Sequence, residues 1–168
     1  NNGAVFVLNS NSLDLSDVSI GDSIAVNGVC LTVTQLDKNS FSADVSQETL
    51  NCTTFSQLKK GQNINLEKSL RLDQGIDGHL VSGHVDGVGK VASITIEGES
   101  TRMKIKVDDN LVKYIAKKSS ICINGVSLTV NEIDGNVFGV NIIPHTFSVT
   151  TLDELKVNSQ VNIEIDII

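Results

Sequence analysis

The stretch GHLVSGHVDG, residues 78–87, carries two of the chain's three histidines, His79 and His84, five positions apart among glycines. That spacing admits metal ligation, proton transfer, or a turn with no chemistry at all. A metal site needs cysteine or acidic partners at ligand spacing, and none accompany the pair; on a strand, the odd separation would also put the two rings on opposite faces. No metal is therefore expected. His84, between Gly83 and Val85, is the better acid/base candidate, because glycine lets a ligand approach and imidazole titrates near neutrality. A second group lies in VNGVCLTV and INGVSLTV, where Cys30 and Thr32, and again Ser127 and Thr129, stand two residues apart and so share a strand face. Two small polar pairs at matching places would suit two similar ligands. The plainer alternative makes Cys30 a small core hydrophobe and the threonines simple strand formers. Glu48 and His145, at matching positions of the two segments, read as polar rims.

These residues sit in a chain that repeats itself. Residues 23–69 align without a gap on residues 120–166 at a shift of 97, with 18 of 47 positions identical, which points to duplication of one unit. The expected halves are residues 1–77 and 78–168. Each reads as short strands of period two. Asn27-Gly28 and Asn124-Gly125 provide two-residue turns, DKN and DGN the next hairpins, and EGES (97–100) another. Pro144 is expected at a strand end, where a missing ladder donor is tolerated. Strands about ten residues apart predict an all-β chain with a small closed barrel in each half. Helix is expected only at 110–118, with turns at FSQLKK and LDELKV. The counterpart of GHLVSGHV would fall about fifteen residues before Asn1, so a strand is expected to precede this chain.

Composition narrows the partners. A net charge of −7 with scattered lysines and arginines supplies no positive stripe, so nucleic acid is not expected. No apolar run approaches a membrane span and the start lacks a signal-peptide pattern, so a soluble cytoplasmic protein is expected. Three unpaired cysteines, Cys30, Cys52 and Cys122, predict free thiols. GVGK lacks the phosphate-loop ending and implies no nucleotide cradle.

Taken together, NGVCLTV, QETL, GHLVSGHVDG, INGVSLTV, IPHTF and VNIEID resemble the riboflavin synthase alpha-chain, or lumazine-binding repeat, family over residues 21–166. The resemblance implies two six-stranded Greek-key barrels, each binding one 6,7-dimethyl-8-ribityllumazine, in a homotrimer whose sites lie between neighbouring subunits. It implies a dismutation yielding riboflavin with no metal or cofactor, and association with lumazine synthase. Ser23, Cys30, His84 and Asp166 match the positions tied to catalysis. Ligand contacts of the first half would fall on Cys30, Leu31 and Thr32, on Asp44, Val45, Ser46, Gln47, Glu48 and Thr49, and on Gly83, His84 and Val85. Those of the second would fall on Lys118, on Ser127, Leu128 and Thr129, and on Ile142, Ile143, Pro144, His145, Thr146 and Phe147. His79 is expected to support its turn. Family members also begin with a Met-Phe-Thr-Gly segment and end in a helix, neither of which is present here. A non-catalytic lumazine or flavin carrier of the same fold is the rival reading.

Overall fold

The computed structural model describes residues 3–167; residues 1–2 and 168, the outermost parts of the two expected halves, lie outside the described residues. In the first half β1 (Ala4–Asn9), β2 (Ser23–Val26), β3 (Val29–Leu36), β4 (Ser40–Val45) and β5 (Leu66–Lys68) form one sheet in the order β1-β4-β3-β2-β5. In the second, β6 (Gly87–Glu97), β7 (Ser100–Lys106), β8 (Ser120–Ile123), β9 (Val126–Asp134), β10 (Val137–Ile142) and β11 (Gln160–Ile165) close into a barrel in the order β10-β7-β6-β11-β8-β9. All of these pairings are antiparallel.

The repeat seen in the sequence is also a repeat of register. Ala4 opposes Val45 as Thr101 opposes Ile142, and Ser23 opposes Thr32 as Ser120 opposes Thr129, each pair related by 97 residues. Period-two patterning makes this possible: Ile24, Val26, Leu31, Val33, Phe41, Ala43 and Val45 point into one core, and Ile121, Ile123, Val130, Phe138, Val140 and Ile142 into the other. The all-β expectation holds, with the closed barrel in the second half. The first half has a strand fewer among the described residues and remains an open five-stranded sheet, edged by β1 and β5.

Short helices punctuate both halves. Helix α1 (Gln47–Cys52) starts from Ser46, whose Oγ accepts the Thr49 N–H at 3.1 Å. Helix α2 (Asp109–Val112) is all that forms of the helix expected at 110–118. Helix α3 (Pro144–Val149) replaces the expected strand end at Pro144, because proline's fixed φ and missing donor suit the first turn of a helix. The turns expected at FSQLKK and LDELKV are single 3₁₀ turns over Thr54–Gln57 and Thr151–Glu154.

The halves meet at their two Asn-Gly turns. Both residues of each turn have positive φ, 45° and 79° at Asn27 and Gly28 and 48° and 84° at Asn124 and Gly125, as a type I′ hairpin requires. A Cβ on Gly28 would lie 2.7 Å from the Gly125 nitrogen, and one on Gly125 would lie 3.0 Å from the Gly28 nitrogen. Only glycine at both positions lets the backbones approach this closely. Around the contact, Asn162 Nδ2 donates to the Asn27 carbonyl and Asn65 Nδ2 to the Asn124 carbonyl, both at 2.9 Å. The Asn162 Oδ1 accepts the Thr54 N–H and the Asn65 Oδ1 the Thr151 N–H, both at 2.8 Å. Each of these bonds has its mate 97 residues away.

Gly98 has φ +61° but nothing within 4 Å of its would-be Cβ, so Gly98→Ala should cost only about 1 kcal/mol of left-handed strain. Gly28→Ala adds a backbone clash between the halves and should cost about 3 kcal/mol, read as the larger fall in midpoint on thermal unfolding.

Candidate active site

The β2–β3 and β8–β9 hairpins present the same outer surface twice. Leu31 and Val33 turn inward at 5% and 1% exposure, which sends Cys30 and Thr32 to the other face, Cys30 half-buried and Thr32 exposed. Ser23 lies directly across from Thr32. In the second half Ser127 is half-buried, Thr129 is exposed, and Ser120 faces Thr129. The register Val33↔Ala43 sets β3 beside β4, and β4 passes through Asp44, Val45 and the cap Ser46 into α1, which carries Gln47, Glu48 and Thr49. Val130↔Val140 does the same in the second half, where Leu128 and Thr129 lie on β9 and β10 passes through Ile142 and Ile143 into α3, which carries Pro144, His145, Thr146 and Phe147. Lys118 occupies a left-handed turn with φ 75° and its N–H donates to the Val130 carbonyl, as Gly21 does to that of Val33. The two halves thus carry the same succession of hairpin, strand and short helix.

Between the halves lies a cleft of about 600 Å³ lined by Ser23, Cys30 and Glu67 from the first half and by His79, Gly83 and Ser127 from the second. Thr32, Thr129, His84 and Asp166 are not part of its lining. The segment 78–86 forms no strand. It is pinned instead by side chains. Glu164, only 5% exposed, accepts the Ser82 N–H and hydroxyl at 2.6 and 2.8 Å and the Gly83 N–H at 2.9 Å. The Gly83 carbonyl in turn accepts the Cys30 N–H at 2.8 Å, across the junction of the halves. Gly83 must be glycine, since its φ is +78° and a Cβ would sit 2.7 Å from that of Cys30. Val85 packs on the core of the first half. His84, held between these two anchored residues, projects to the exposed surface at the junction.

His79 does more than support a turn. Its Nδ1 shares a 2.7 Å hydrogen bond with the Ser127 hydroxyl, while its Nε2 is buried without a partner among the described residues. Asp166 is half-buried just beyond β11, whose Ile165 N–H donates to Asp86 Oδ2 at 2.7 Å. Sequence reasoning passed over Glu164, although its identity with Glu67 across the repeat was a usable signal.

The thiols differ in character. Burial, reinforced by the neighbouring Glu164 charge, pushes the Cys122 thiol up to about 12, which keeps it neutral and inert. Cys52 is exposed, but its Sγ donates to Glu48 Oε1 at 3.1 Å, and that hydrogen bond raises its pKa. Cys30 is half-buried and faces the cleft. No group of three or more His, Cys, Asp or Glu side chains among the described residues could hold a metal ion. No helix among them is long and apolar enough to cross a membrane.

Comparison with known proteins places this geometry. The family model described as the lumazine binding domain matches twice, over residues 3–69 and 82–166, one match on each half. The riboflavin synthase of Photobacterium phosphoreum is 47% identical over 161 residues, covering 96% of this chain and 74% of the relative. That of Actinobacillus pleuropneumoniae is 47% identical over 165 residues, covering 98% and 76%. Among solved structures, LumP complexed with riboflavin superposes with a TM-score of 0.87 at 28% identity, over 99% of this chain and 90% of that one. LumP complexed with 6,7-dimethyl-8-(1'-D-ribityl) lumazine gives 0.81 at 31% identity, over 90% and 81%. With a lumazine-binding domain in each structural repeat and riboflavin synthases aligned along nearly its whole length, the chain belongs to the riboflavin synthase family.

Proposed function

We propose that this chain is a riboflavin synthase, transferring a four-carbon unit between two molecules of 6,7-dimethyl-8-ribityllumazine to give riboflavin and 5-amino-6-ribitylamino-uracil. The observation that carries the reading is the doubled surface: Ser23, Cys30 and Thr32 in one half, Ser120, Ser127 and Thr129 in the other, on hairpins of the same register. One chain therefore offers matching platforms to two identical substrates, and much of the rate comes from holding them in reacting orientation. The atoms of two lumazines are redistributed between the two products, so no outside oxidant or reductant is consumed. The acidic 7-methyl group of one lumazine loses a proton with His84 as base, and the resulting carbanion is delocalised into the ring. The second lumazine is activated by addition at C7, either of the Cys30 thiolate or of water held by Ser23.

Asp166 completes the catalytic set, and the contacts named above for each half complete the two binding sites. The reading extends to a cytoplasmic homotrimer, with one substrate site per half and the division between halves at 77/78. It also extends to association with lumazine synthase. The LumP superpositions favour one alternative, a carrier that binds lumazine without converting it.

Incubation with the lumazine alone, followed by absorbance, should yield riboflavin; saturable fluorescence change with no riboflavin would favour the carrier. Thr32→Val and Thr129→Val should each weaken lumazine binding in their own half by about 3- to 10-fold, the worth of one hydrogen bond, and unchanged affinity in both would remove these threonines from the site. In thiol alkylation mapped by mass spectrometry, bound lumazine should protect Cys30 and leave Cys52 reactive. Cys122 should stay unmodified throughout, in keeping with its burial and its pKa of about 12.

A further inference from the structure

The 2.7 Å hydrogen bond between His79 Nδ1 and the Ser127 hydroxyl can run in either direction. An uncharged imidazole has one N–H and one bare nitrogen, and a hydroxyl can give or take, so the ring tautomer fixes the direction. The surroundings of the ring fix the tautomer. Nε2 is buried and meets no hydrogen-bond partner among the described residues. A proton there would make an orphaned buried N–H, a group that folded proteins almost never leave, whereas a proton on Nδ1 finds the Ser127 oxygen within reach. The ring therefore donates through Nδ1, and the serine oxygen accepts.

Accepting from His79 commits the hydroxyl. Its own proton has no acceptor among the described residues and turns away from the ring, toward the outer face of β9 that Ser127 shares with Thr129 and toward the cleft that Ser127 lines. The backing is firm. Gly78 has φ +100°, and a Cβ there would lie 2.5 Å from Ser127 Oγ and 2.8 Å from its Cβ, so the backbone beside His79 also closes on the serine. Three residues beyond His79, Glu164 clamps the same passage at Ser82 and Gly83. The first half is built differently at the matching position. There Gly83 engages the Cys30 backbone N–H and not the thiol.

We propose that His79 is a positioning residue that fixes the Ser127 hydroxyl as a hydrogen-bond donor to the lumazine held by the second half. This rests on the reading given above, in which the face of Ser127 and Thr129 takes a lumazine. The second half then selects a ligand that sets an acceptor against Ser127, either a ring carbonyl oxygen or an unprotonated ring nitrogen. A ligand bringing an N–H to the same place would leave the serine proton unpaired, and the cost of that unpaired group supplies the discrimination. Cys30, with no ring behind its thiol, imposes no such direction on the ligand of the first half. His79 itself need not touch the ligand. It acts by removing the hydroxyl's freedom to turn round.

The test has two arms. In the ligand-free chain, long-range ¹H–¹⁵N correlation of the His79 ring should show the proton on Nδ1 and a bare Nε2; a ring protonated at Nε2 alone would overturn the proposal without any variant being made. In titrations with 6,7-dimethyl-8-ribityllumazine followed by fluorescence, His79→Leu should weaken one of the two binding events by about 3- to 10-fold and leave the other unchanged. His79→Asn, whose amide N–H can stand in for Nδ1–H, should restore most of the loss. In a Ser127→Ala background, His79→Leu should have no further effect. Weakening at both sites, no rescue by asparagine, or full additivity with Ser127→Ala would each reduce His79 to a structural residue and overturn the proposal. A chain that binds no lumazine would bring down the function proposed above and this role with it, whereas the wrong tautomer in a chain that binds lumazine would bring down this role alone.

Discussion

Four asparagines hold this molecule in its shape. Asn27 and Asn124 adopt the left-handed turns that only asparagine and glycine accept readily, and their side-chain oxygens cap the Asn65 and Asn162 N–H groups at 2.8 Å within each half. Asn65 and Asn162 then spend their amides across the junction, each satisfying one carbonyl and one N–H of the other half. Asn162 is 1% exposed, so its own groups would be costly if left unpaired. The network is self-complementary about a pseudo-twofold axis passing between Gly28 and Gly125. Given that axis, the two matching outer surfaces cannot be placed independently, because Cys30 and Ser127 lie two residues beyond the touching glycines.

Symmetry of the frame makes the remaining asymmetries informative. Cys30 and Ser127 occupy the same place in the repeat but have different neighbours. The cysteine is backed by the Gly83 backbone, and the serine hydroxyl by the His79 ring. A soft thiol stands where its mate is a hydroxyl already engaged with an imidazole. On the proposed reading, two chemically identical lumazines would therefore meet different environments, as a reaction in which one gives a fragment and the other takes it requires.

Much of the framework was legible in the chain. Period-two alternation and the Asn-Gly pairs locate the hairpins, and identity at a shift of 97 exposes the duplication, because strand register and turn geometry are written in local residue order. The short helices were not legible. Six residues opened by Ser46 or Pro144 carry too little periodicity, and Pro144 reads equally well as a strand terminator. The matching hairpins that carry Thr32 and Thr129 followed from the repeat. The repeat marked Glu164 only as identical to Glu67; its role comes from a turn 82 residues earlier in sequence, and nothing local marks a glutamate on a barrel strand as the anchor of a glycine loop. The asparagine bridge was hidden for the same reason: Asn65 and Asn162 read as ordinary polar residues until folding sets them against the opposite half.

The passage from Ser82 to Val85 links the two halves in a way that a tether does not. Its polar end is clamped by a glutamate of the barrel, its glycine carbonyl completes a hydrogen bond of the opposite sheet, and its valine fills part of that sheet's interior. The first half thus draws part of its own stability from residues that belong, by descent, to the second copy. Through these shared contacts, damage at the start of the second copy is felt in the first. Cutting the chain between residues 77 and 78 would take from the first half a hydrogen-bond acceptor for Cys30 and a side chain of its interior.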